Sequence, residues 1–83
     1  MISVKEAAAK AVEFAQALLN LAPGEVLLEE VESSTLDSAP VWLITLSVPP
    51  RPLPFGRRDY KTFTVRADTG EVLSMKIREL AGA

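Results

Sequence analysis

Neither cysteine nor histidine occurs in the 83 residues. Without cysteine there is no disulfide, no thiol nucleophile and no thiolate metal site. Without histidine the chain lacks the commonest metal ligand and the one side chain that titrates near neutrality. A Ser-His-Asp or Cys-His arrangement is therefore excluded within the chain. Positive charge is also in short supply, with 9 Lys and Arg against 11 Asp and Glu and a net charge of −2. A nucleic-acid binder carries a basic excess, so broad phosphate binding is not expected. Long apolar runs are missing too. Lys5, Glu6, Lys10 and Glu13 interrupt the start, so a secretion signal is not expected. No stretch approaches the roughly 20 apolar residues of a membrane helix. The expectation is a cytoplasmic protein with no membrane association, no cofactor and no metal.

Apolar residues make up 48% of the chain and charged residues 24%, the balance of a globular domain. The length suits one domain over residues 1–83. Val4 to Ala22 carries helical period: Val4, Ala7, Ala8, Ala11, Val12, Ala15, Leu18, Leu19 and Ala22 share one face. Ser3 and Glu6 form a capping box, Ile2 is placed to staple against Ala7, and Pro23-Gly24 supplies the stop.

Glu25 to Glu32 reads as a short strand of unclear register, because Val26 and Leu28 do not alternate cleanly with Leu27 and Val31. Ser33 to Pro40 reads as turn. Val41 to Val48 alternates with Trp42, Ile44, Leu46 and Val48 on one face and Val41, Leu43, Thr45 and Ser47 on the other. Four prolines between Pro49 and Pro54 forbid a central strand there. Tyr60 to Ala67 and Val72 to Glu79 then form a hairpin around Asp68-Thr69-Gly70-Glu71, with Leu73, Met75 and Ile77 matched to Phe63 and Val65. The expected fold is α+β: one N-terminal helix packed on a four-stranded antiparallel meander sheet.

Trp42 on its strand and the run Ala67-Asp68-Thr69-Gly70-Glu71-Val72 at the last turn resemble a PepSY-type domain, as a single repeat over nearly the whole chain. That family pairs an N-terminal helix with a Trp-bearing strand and a final hairpin of this kind. The resemblance implies a module that binds or restrains a partner protein and has no catalytic residues to carry over. The chain differs from the family in its Pro49–Phe55 insertion and in having no visible secretion signal. Small immunity-type proteins have a similar outline and imply an antitoxin-like role.

Several motifs invite chemistry. Asp68-Thr69-Gly70 matches the catalytic triplet of retroviral-type aspartic proteases, in which paired carboxylates share a proton. Only 13 residues follow it, too few for the further strands of such a fold, so it reads as a hairpin turn. Glu25, Glu29, Glu30, Glu32 and Asp37 lack the spacing and glycine of a calcium loop and read as a charged edge strand. The prolines fit only a minimal PxxP ligand and read as a stiff connection. Trp42 reads as core.

The remaining cluster is Arg51, Arg57, Arg58, Lys61 and Arg66 with Phe55 and Tyr60 interleaved. Arginine offers bidentate donors to carboxylates, so the partner-binding candidates are Arg51, Phe55, Arg57, Arg58 and Tyr60. The function expected is a non-enzymatic protein-interaction module, binding or inhibiting a partner. The alternatives are a structural homo-oligomer, such as a homodimer formed over the partly apolar face of Val41 and Leu43, and an immunity or antitoxin-like protein.

Overall fold

The computed structural model describes residues 1–22, 24–50 and 57–78. One helix, α1 (Val4–Leu19), packs on an antiparallel sheet of β1 (Leu27–Leu36), β2 (Ala39–Val48), β3 (Asp59–Arg66) and β4 (Val72–Arg78) in the order β1-β2-β3-β4. The fold is the α+β meander that the sequence pattern implies.

Ser3 caps α1 by accepting from the Glu6 amide at 3.1 Å. The helix ends earlier than Pro23-Gly24. Asn20 adopts the left-handed conformation at φ 54° and its N–H donates to Gln16 O. Asparagine tolerates that region, so it serves as the C-terminal cap in place of glycine. Ala7, Ala11 and Ala15 are fully buried against the sheet. Their small side chains let the helix axis approach closely, and the larger Ile44, Leu46, Phe63 and Val65 fill the space from the sheet side. Phe14 meets Phe63 edge to face, ring centroids 6.0 Å apart.

β1 runs from Leu27 to Leu36, not from Glu25 to Glu32, and two local features explain the difference. The register shifts between Leu28 and Glu30, so Glu29 is an extra residue in a bulge. A bulge adds one residue to the period of two, which is why the apolar residues fail to alternate. The turn after β1 uses Asp37 and Ser38, at φ 51° and 69°, to close Leu36 onto Ala39. Both central residues have positive φ, the tight hairpin geometry that glycine usually marks. Strand therefore occupies most of the span from Ser33 to Pro40 that reads as turn.

β3 begins at Asp59 and ends at Arg66, one residue ahead of expectation at each end. In β4 the pairing passes from Thr64↔Ser74 to Val65↔Val72, leaving Leu73 as a second bulged residue. Met75 lies opposite Phe63 on the helix-covered face, but Leu73 does not join it. Leu73 lines a shallow depression with Leu36, Asp37, Ala39 and Arg66 on the other face.

The last turn forms as the sequence implies. Gly70 takes φ +79° and its N–H donates to Arg66 O at 2.8 Å, while the Glu71 amide donates to Thr69 Oγ1 at 3.2 Å. The start of the chain is tied to this end of the sheet. The Ile2 amide donates to Ala67 O at 2.6 Å, and Trp42 Nε1 donates to Ile2 O at 3.3 Å. Trp42 is half-buried against the core rather than enclosed by it.

Candidate functional site

The sheet has two unlike faces. Trp42, Ile44, Leu46, Phe63, Val65 and Met75 lie under α1. The outer face carries Val41, Leu43, Thr45 and Ser47 of β2, opposite Arg66, Thr64, Thr62 and Tyr60 of β3 in that order. No described helix or strand lies over it. Val41 is nonetheless only 3% exposed, set between Ser34 of β1 and Arg66 of β3. The Thr45 and Thr62 hydroxyls lie 3.1 Å apart and share a hydrogen bond. Glu30 and Glu32 occupy the β1 side of this face, and Lys76 of β4 sits opposite Thr62 at the other side.

The five partner-binding candidates divide. Arg51 and Phe55 lie outside the described residues. Arg57 is exposed just ahead of β3. Tyr60 is half-buried on the outer face, in register with Ser47. Arg58 is committed elsewhere: Nε donates to Ser47 Oγ at 2.9 Å, and Nη2 donates to Ser47 O at 2.8 Å and to Glu25 O at 2.5 Å. Ser47 Oγ in turn donates to Glu29 Oε2 at 2.7 Å. Arg58 thus bridges the end of β2 to the residues leading into β1. Its adjacency to Arg57 gives no sign of this role, because Glu25 is distant in sequence.

The bulge also changes the acidic strand. Strict alternation puts Glu29 on the face away from Glu30 and Glu32, yet its carboxylate reaches the fully buried Ser47 of the outer face. At the far end, Asp68 takes a two-point contact from Arg66, Nε to Oδ1 at 2.8 Å and Nη2 to Oδ2 at 3.0 Å. The hydrogen bonds from Arg66 hold the Asp68 carboxyl below the usual carboxylate range, and the same contact raises Arg66. Asp68 is therefore part of a turn and an ion pair.

Among the described residues, no group of three or more Asp and Glu is placed to hold a metal ion, and no helix is long and apolar enough to cross a membrane. No protein-family model, curated protein or solved structure matches the chain.

Proposed function

We propose that this protein is a non-enzymatic interaction module that binds, and by binding restrains, a partner protein through the outer face of its sheet. The observation that carries the reading is the asymmetry of that sheet. One face is filled by a helix cut to fit it with alanines. The other presents the half-buried Leu43 and Tyr60 with no described helix or strand above them, and the exposed Arg57 lies three residues before Tyr60 in the chain. Apolar and aromatic side chains beside a guanidinium are the composition of a protein-binding surface. The resemblance to PepSY-type domains supports the same reading, as does a sequence without histidine or cysteine for nucleophilic or acid–base work. Arg51 and Phe55 stay candidates on their sequence alone, and the acidic counterpart of the surface would be a carboxylate-bearing segment of the partner.

Arg58 holds the fold together, so a binding test must leave it intact. Capture from the source cell's lysate is compared between wild type and the Arg51→Glu/Arg57→Glu variant. A protein retained by wild type and lost by the variant supports the proposal. Identical retention by both, or retention by neither, contradicts it.

A further inference from the structure

The two edges of the sheet are complementary to one another. β1 is exposed along its whole length, and its regular stretch, residues 30–34, lies beyond the bulge at Glu29. On the helix side it presents Val31, 40% exposed; on the outer side it presents Glu32. The regular stretch of β4, residues 74–78, lies beyond the bulge at Leu73. On the helix side it presents Ile77, 76% exposed, and on the outer side Lys76. Each edge therefore repeats the same face pattern, apolar on the helix side and charged on the outer side, with opposite sign.

From this juxtaposition we infer that a second copy of the chain docks edge to edge, its β4 adding as an antiparallel strand to β1 and extending the sheet head to tail. β1 and β3 run one way and β2 and β4 the other, so β4 of one copy meets β1 of the next antiparallel, with both helices on one side. A single register sets Val31 against Ile77 and Glu32 against Lys76. Faces and hydrogen-bonding direction both alternate with period two, so the register that matches faces also matches donors to acceptors. The flank of α1 beside β3 and β4, marked by Phe14 on Phe63 and by Lys10 close to Gly70, exposes Phe14 and Leu18. The incoming β1 carries its apolar Val31 and Leu28 to that side.

Charge selects against the closed alternative. β1 paired with β1 about a two-fold axis, in any register centred on residues 30–33, sets Glu30 or Glu32 opposite or diagonal to the same residues of the other copy. Like charges across a ladder are destabilising. Head-to-tail contact is heterologous and leaves a free β1 and a free β4 on every assembly, so growth is open-ended. The paired stretch is short and buries less than the roughly 1,200 Å² of a standard interface, so association is weak and depends on concentration.

The test is sedimentation equilibrium from micromolar to near-millimolar protein. Wild type is expected to show a weight-average mass that keeps rising without a plateau. Val31→Lys/Glu32→Lys blocks β1, and Ile77→Lys blocks β4; all three positions are exposed, and each variant alone is expected to stay monomeric. Mixed, the two variants retain one good edge each and are expected to form a 1:1 dimer and nothing larger. Hydrogen exchange on wild type needs no variant: amides of residues 30–34 and 74–78 are expected to slow as concentration rises. A wild type that stays monomeric throughout, a mass that levels off at a dimer, variants that assemble like wild type, or a mixture that stays monomeric overturns the inference. Arg57 lies in neither edge strand, so Arg57→Glu is expected to assemble like wild type, and failure here and failure of the partner-binding proposal are separate results.

Discussion

Arg58 donates through Nε to the hydroxyl of Ser47, which is fully buried, and the same hydroxyl donates onward to Glu29. This relay crosses three segments: the approach to β3, the end of β2 and the bulge of β1. Ser47→Ala removes its centre and leaves the Arg58 Nε–H and the Glu29 carboxylate without that partner. An unsatisfied partly buried group costs about 1–3 kcal/mol, and a loss of that size in urea-induced unfolding is expected. A change within error would mean that water replaces the hydroxyl at no cost.

Ser38 offers a gain. It holds φ 69° in the two-residue turn between β1 and β2. A left-handed conformation costs a residue with a Cβ about 1–2 kcal/mol, and glycine escapes that cost. Part of the gain is offset by the greater freedom of glycine in the unfolded chain. Ser38→Gly is therefore expected to raise the thermal midpoint modestly, and a lowered midpoint would show that the Ser38 side chain contributes to the turn.

Trp42 joins the sheet to the start of the chain through its bond to Ile2 O. Trp42→Phe keeps an aromatic ring on the core and deletes the donor. The expected cost is about 1 kcal/mol from the hydrogen bond, with faster amide exchange at Ile2, whose N–H donates to Ala67 O. Unchanged exchange at Ile2 would mean that the backbone bond alone holds the segment.

Asp68 predicts a pH dependence. The Arg66 hydrogen bonds lower its folded pKa below the unfolded value. The native state therefore binds this proton less readily than the unfolded chain. The contribution is fully present above the unfolded carboxylate pKa and is lost as pH falls through the folded one. The stability difference between wild type and Asp68→Asn is thus expected at neutral pH and should shrink in acid. A difference that stays constant into acid would place its origin outside the ion pair. Both partners are solvent-exposed, so the effect is small and weakens with salt.

The helix and the two interior strands are legible in the sequence because their apolar periods are unbroken: 3.6 through Ala7, Ala11 and Ala15, and two through Trp42, Ile44 and Leu46. β1 is harder to read because Glu29 inserts a residue into the alternation and Asp37-Ser38 turns without glycine or proline. Leu73 is misplaced for the same reason, a bulge that moves it off the face of Met75. Proximity in sequence groups Arg57 with Arg58, but only the fold brings Glu25 and Ser47 to Arg58 and removes it from the binding candidates. Tyr60 lies half-buried on the outer face and Arg57 is exposed ahead of β3.

The central claim is that the outer face of the sheet meets a partner protein. The most direct measurement is site-specific photo-cross-linking in the source cell. A photoreactive phenylalanine replaces Tyr60 on the outer face, and as a control replaces Ala9 on the exposed side of α1. The account predicts a discrete adduct to another protein from position 60 and none from position 9. No adduct from position 60, or the same adducts from both positions, would contradict it.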